Sequence, residues 1–250
     1  MLDGKHSLTF EHLSPFFFLQ LICFVYFAAV AGEVGHSSPV PIDSVFIYRP
    51  DKREEIWRFF LYMVLHAGWL HLIFNLLVQL LVGVPLEMVH GSLRIGTVYM
   101  AGVFAGSLAT SVVDPNVFLV GASGGVYALL AAHIANVLMN YKQMEFGFVR
   151  ILGAIVIASV DVGFAVYARY ANHPHGPSVS YVAHFAGALA GLTIGFIVLK
   201  NFEQRLRDQI TWWIALCVYM ACTTFAIIYN LLRPNTSAFD FSDDLLGTAG

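Results

Sequence analysis

Ser123 stands in the run Gly121-Ala122-Ser123-Gly124-Gly125-Val126-Tyr127, a glycine-loosened turn that opens an apolar helix over residues 123–140. A serine hydroxyl becomes a nucleophile when a neighbouring base takes its proton. The small-residue turn leaves N–H groups at the helix start aimed at whatever sits above the serine, where they would stabilise a developing oxyanion. Gly, Ala and Ser also recur wherever membrane helices pack closely, so the turn alone fits a packing feature as well.

His184 is the candidate base. It lies about one turn into an apolar segment over 179–199, and an ionisable side chain inside such a segment is costly enough to suggest a function. Gly187, Gly191 and Gly195 follow at four-residue spacing on one face, a small-residue stripe that lets two helix backbones approach closely. If the stripe packs on the helix of Ser123, His184 comes within reach of the serine; otherwise it is an incidental histidine on a packing face. His71 and Asn75, at i and i+4, share a face of an earlier segment. Both side chains donate hydrogen bonds, and such donors build oxyanion holes; a structural polar contact between helices is the other reading. His66 is expected to orient the loop before that helix. Asp161 sits in the middle of a segment over 148–170, where it is expected to lie deeper than His184. An inter-helix hydrogen bond is expected for it in preference to a third catalytic role, with Asp161→Asn leaving most activity.

The elements that must position these groups are apolar blocks. Of the 250 residues 58% are hydrophobic and 12% charged, and mean hydropathy is +0.71. The apolar residues fall in long runs without amphipathic spacing, which implies a polytopic, all-α membrane protein. Seven spans are expected, over about 15–32, 69–89, 93–113, 123–140, 148–170, 179–199 and 210–232. Ala29-Val30-Ala31 has the small-residue pattern of a signal-peptide cleavage site, but the first block is long enough to span and is expected to be retained. Residues 57–62 suggest a half-buried interfacial helix with Trp57 at headgroup level. Cys23, Cys217 and Cys222 all lie in apolar blocks and are expected to be small packing residues. The net charge of −3 excludes little, and no basic run suggests nucleic acid.

Orientation and depth follow from charge and length. Lys5, Arg94, Lys142, Arg150, Lys200, Arg205 and Arg207 fall on one side of the predicted spans, which places the N-terminus in the cytosol and the C-terminus outside. The sequon at Asn235 is then lumenal but close to the membrane. The fourth span covers only about 25 Å at the helical rise, against a hydrocarbon core of about 30 Å. Residues 117–120 before it are apolar, so the loop is expected to dip into the membrane and carry Ser123 below the lumenal surface. Irregular backbone at that depth must be buried in protein or line a wet cavity.

The set resembles the rhomboid intramembrane serine proteases. The resemblance rests on Trp57-Arg58, on His66, His71 and Asn75 as H-x4-H-x3-N, and on Glu87. It continues through Gly121-x-Ser123-Gly124 with Tyr127, and Ala183-His184-x2-Gly187-x3-Gly191. It implies a six-helix catalytic core (residues 14–201) after a cytosolic tail (1–13). A connector and seventh helix (202–232), as in the eukaryotic secretase-type branch, and a lumenal tail (233–250) would follow. It implies Ser123 as nucleophile and His184 as general base and acid, with no catalytic carboxylate. The oxyanion would be held by the Ser123 N–H in the Gly121 turn with Asn75 and His71. Tyr127 would pack on His184, with Gly124, Gly187 and Gly191 supporting the site; Trp57, Arg58, Glu87 and His66 would be structural.

The resemblance further implies hydrolysis of a peptide bond in or beside the transmembrane helix of single-pass proteins in the lipid bilayer, releasing their ectodomains. EGF-type growth factor precursors in the secretory pathway are the leading expectation, and small helix-weakening residues near the cut should favour cleavage. No cofactor, metal or nucleic acid is expected. Two rivals differ in class. A catalytically silent rhomboid-like protein would bind clients without cutting them. A histidine-lined transporter would need paired broken spans, and only one broken segment is present. His-Glu-x-x-His and paired intramembrane aspartates are both missing from the sequence.

Overall fold

In hydrocarbon every backbone N–H and C=O must be satisfied within the protein, so apolar runs of this length fold as helices. The computed structural model describes residues 13–36, 38, 41–114, 116–171, 180–201 and 206–233. The helices are α1 (Leu13–Ala31), α2 (Arg58–Leu61), α3 (Trp69–Val78), α4 (Val84–His90), α5 (Ser92–Val113), α6 (Ser123–Met139), α7 (Gly147–Ala171), α8 (Tyr181–Val198) and α9 (Leu206–Leu232). A π-helical turn, Gln79–Gly83, joins α3 to α4 into one unit, Trp69–His90. Its cause is in the sequence: Pro85, in the first turn of α4, has no N–H to donate four residues back, and the widened turn absorbs the defect. The protein is thus a polytopic helical bundle. Among the described residues four units, Trp69–His90, Ser92–Val113, Tyr181–Val198 and Gln209–Leu232, are long and apolar enough to cross a membrane; Pro15–Ala31 and Ser123–Met139 are shorter apolar helices. The expected N-terminal tail up to residue 12, the loop at 172–177, residues 202–205 of the connector and the sequon lie outside the described residues.

α6 is the axis of the bundle. Every residue from 123 to 132 is buried, and α5 and α8 enclose it. The glycine stripe of α8 lies against it. A Cβ at Gly187 would collide with the Gly124 carbonyl, one at Gly191 with the Ala128 carbonyl, and one at Gly195 would press on Ala132 and Ala135. From the other side Gly102 of α5 packs equally tightly on Ala128 and Gly124. These approaches replace a hydrophobic drive that lipid cannot supply with close van der Waals packing.

Polar clamps close the bundle. At the end of α6 away from Ser123, Asn140 donates to the Lys200 carbonyl (3.2 Å), while the Lys200 N–H donates to His90 Nδ1 (3.0 Å). Between α1 and the π turn, Gln20 and Gln79 exchange amide hydrogen bonds, and Gln20 also donates to the Tyr99 hydroxyl (3.1 Å). α9 is held on the rim: Asn230 donates to Ser111 Oγ (2.7 Å) and Trp212 Nε1 to the Ile197 carbonyl (3.2 Å). Cys23 is partly buried, but Cys217 and Cys222 face outward on α9, so these two are not the packing residues expected.

The segment 57–62 is half-buried, as expected. Its inner side packs into the bundle: Arg58, Phe59 and Tyr62 are buried, Trp57 is exposed, and the Tyr62 hydroxyl donates to the Val103 carbonyl within α5 (2.7 Å). A hydroxyl with a backbone carbonyl to bond is affordable at that depth.

Candidate active site

The loop before α6 is fixed at three points. Tyr48 and Leu119 exchange backbone hydrogen bonds (3.2 and 3.1 Å), the Gly121 N–H donates to the Tyr62 carbonyl (3.1 Å), and the Ala122 N–H donates to His66 Nε2 (3.4 Å). Burial pushes the Tyr48 phenol up to about 12, which keeps it neutral beside this loop. Gly121 has φ +111°, and a Cβ there would strike the His71 ring, so the position demands glycine on two counts. The outcome is that Ser123 becomes the first residue of α6, 5% exposed, under an irregular loop. The first four N–H groups of a helix have no partner within it.

The long loop over 33–66 rests on Arg58. This buried guanidinium pairs with Glu55 and donates to the carbonyls of Ser44 (3.0 Å) and Ile47 (2.7 Å). Trp57 is half-exposed and donates to the Val45 carbonyl (3.2 Å). Glu87 lies buried on α4. At the loop's outer edge Arg49 grips Asp51 through two nitrogens; burial pushes the Asp51 carboxyl up, and the guanidinium outweighs that and holds it below the usual range.

Around Ser123 the structure gathers residues far apart in sequence. α8 opens with Ser180 as its N-cap, accepting from the Ala183 N–H (3.2 Å) and bonded to Thr110 (3.0 Å), which fixes the turn that carries His184. The His184 ring stacks on Tyr127, with centroids 4.3 Å apart and planes at 12°. Neither nitrogen of His184 has a hydrogen-bond partner among the described residues, and the same holds for His71. His66 and His71 meet edge to face at 5.2 Å. Asn75 is fully buried and donates from Nδ2 to the His71 carbonyl (2.7 Å); its amide has a second hydrogen to give.

One participant was not foreseen. Tyr62 supports the turn from below: a Cβ at Gly124 would meet its hydroxyl at 3.0 Å. Gly102 and Gly106 of α5, a second small-residue pair at four-residue spacing, were the available signal for that close packing. Asp161 makes the kind of contact expected of it, and one more. It accepts from the Tyr127 hydroxyl (3.0 Å), an inter-helix hydrogen bond, but its Oδ2 also lies 3.8 Å from His184 Nδ1. It is level with His184, not deeper. α7 has 25 residues and α8 has 18, so α7 is roughly 10 Å longer at the helical rise, and its middle falls beside the first turn of α8. Next to this cluster an apolar cavity of about 450 Å³, open to the outside, lies between α6 and α7, lined by Tyr127, Leu130, Ala131, Ala154, Ala158 and Ala188 among others.

Comparison with known proteins fits this arrangement. The family model "Rhomboid domain" matches residues 53–201, which include all the clustered residues. The chain is 49% identical to Rhomboid-related protein 2 of Mus musculus over 192 residues, 76% of this chain and 64% of that protein. It is 44% identical to Rhomboid-related protein 3 of Homo sapiens over 219 residues, 85% of this chain and 54% of that protein. It is also 36% identical to Inactive rhomboid-related protein 2 of Caenorhabditis elegans over 199 residues, 79% of this chain and 57% of that one. The chain thus spans between about half and two thirds of the length of these relatives. With a domain match over more than half its length and a buried serine–histidine cluster inside that match, this chain belongs to the rhomboid family.

Proposed function

We propose that this chain is an intramembrane serine endopeptidase. The observation that carries the reading is the convergence of the Ser123 turn and His184, on helices packed backbone to backbone, with His184 stacked on Tyr127. His184 Nε2 takes the Ser123 hydroxyl proton as Oγ attacks the scissile carbonyl carbon. The oxyanion receives the Ser123 N–H and the side chains of Asn75 and His71. The imidazolium then gives its proton to the leaving amide nitrogen, the C–N bond breaks, and an ester to Ser123 remains. Water, deprotonated by His184, cleaves that ester and restores the hydroxyl. Gly121 and Gly124 shape the turn, Gly187 and Gly191 seat α8, and His66, Arg58, Trp57 and Glu87 hold the surrounding frame. The catalytic core runs over 14–201.

The substrates are single-pass membrane proteins whose helices unwind near their lumenal ends, EGF-type growth factor precursors first among them. The site opens to the lumen of a secretory-pathway membrane, with the N-terminus in the cytosol. α7 is the lateral gate: it packs chiefly on α6, its Phe148, Val156 and Val160 face outward, and the cavity runs along it.

The test is co-expression with a tagged EGF-type precursor, comparing the chain with Ser123→Ala at equal protein level. Loss of a nucleophile of this kind lowers turnover by about 10⁶-fold, so the shed ectodomain should vanish. Shedding that persists assigns the cut to another protease. If neither protein sheds, a fluorophosphonate probe decides: labelling of Ser123 keeps the enzyme and changes the substrate, and no labelling leaves a client-binding protein.

A further inference from the structure

Asp161 is a carboxylate inside a helix of a membrane bundle, and the steps above leave it no part. Its surroundings are specific. The Tyr127 hydroxyl donates to Oδ2 at 3.0 Å, and the same oxygen faces His184 Nδ1 at 3.8 Å. Tyr127 therefore touches both groups, the imidazole through its ring face and the carboxylate through its hydroxyl. The nearly parallel stack leaves the imidazole free to turn only in its own plane. Among the described residues His184 Nδ1 has no hydrogen-bond partner, and Asp161 is the acceptor nearest to it with a charge of the needed sign.

We propose that Asp161 is a positioning residue for His184, holding the imidazole with its proton on Nδ1 so that Nε2 is free to take the proton of Ser123. The inference rests on the protease reading above. The proton balance fits this role. Nε2 accepts from Ser123, so Nδ1 must already carry a hydrogen, and that hydrogen needs an acceptor in a buried site. When Nε2 is protonated the ring becomes a cation, and a shift of about 1 Å brings Nδ1–H and the carboxylate to charge-assisted hydrogen-bond distance. Asp161 neither gains nor loses a proton in the step. The titratable side chains facing His184 are His71 from α3, Tyr127 from α6 and Asp161 from α7; only Asp161 can balance an imidazolium.

The experiment uses the full chain reconstituted in liposomes with a tagged transmembrane substrate. Measured are kcat, KM, the rate of fluorophosphonate labelling at Ser123, and the thermal midpoint. Asp161→Asn keeps shape and removes charge. Against the expectation from sequence that this change leaves most activity, it should lower kcat and the labelling rate together by roughly tenfold or more, with KM and midpoint little changed. Asp161→Glu, which restores the charge, should recover part of the loss, and a purely structural contact would not show that pattern. Tyr127→Phe keeps the stacked ring and removes the tether, so it should give a smaller fall in kcat. An Asp161→Asn protein with kcat within about twofold of the parent overturns the proposal. If Asp161→Asn fails to fold, Tyr127→Phe decides: a lowered kcat at an unchanged midpoint upholds the role, and an unchanged kcat removes it. A parent chain that neither cleaves nor labels defeats the protease reading itself, whereas an active, labelled parent with an indifferent Asp161→Asn defeats only this inference.

Discussion

At the scale of single residues, the site depends on side chains that do no chemistry as much as on those that would. Gly121 holds φ +111° with its N–H on the Tyr62 carbonyl and its missing Cβ filled by the His71 ring. Gly121→Ala must strain the backbone and displace His71, at a cost of about 1–3 kcal/mol. Its thermal midpoint should fall, and fluorophosphonate labelling of Ser123 should fall further than the midpoint explains. Labelling at the parent rate would show that the turn is indifferent to both effects. Arg58 illustrates why residue type matters: its planar fork reaches Glu55 and two carbonyls at once, which a lysine ammonium cannot copy.

At the scale of elements, α6 and α8 approach so closely that backbone meets backbone. Gly191 is pressed on Ala128, while Gly153, on the outer part of α7, has nothing within 4 Å of its missing Cβ. The same change should have opposite signs at the two sites. Gly153→Ala should stabilise by about 0.5–1 kcal/mol through helix propensity alone. Gly191→Ala overfills a packed contact and should destabilise by about 1–3 kcal/mol. Thermal unfolding of both proteins in one detergent checks this, and equal shifts would mean that α8 is not held by its stripe. Because His184 rides on α8, the Gly191 change should also lower cleavage per folded molecule.

At the scale of the whole molecule, the bundle has a tight side and a loose one. α5, α6 and α8 form the tight side, and the clamp of His90, Asn140 and Lys200 closes it at the end away from the site. α7 leans on α6 across an apolar cavity. If substrate helices arrive there, tying α7 to α3 by a cysteine crosslink should stop cleavage of a transmembrane substrate. A small fluorophosphonate should still reach Ser123. Cleavage by the crosslinked protein at the parent rate would send the substrate by another route.

The sequence by itself determined the all-helical membrane bundle, because runs of apolar residues long enough to span leave the backbone no other way to satisfy its polar groups in lipid. It also marked the residues of the cluster, since Ser, His and Asn inside such runs are expensive and the glycines at four-residue spacing announce close packing. Only the tertiary structure decided depth and pairing. Residues 57–62 offered an aromatic, half-polar pattern that suits an interface, and nothing local says that the Tyr62 hydroxyl finds a carbonyl inside the bundle. Position along a helix likewise does not give position across a membrane. Asp161 is mid-helix and His184 is near a helix start, yet the greater length of α7 sets them side by side, and a carboxylate facing an imidazole is a relation that exists only between helices.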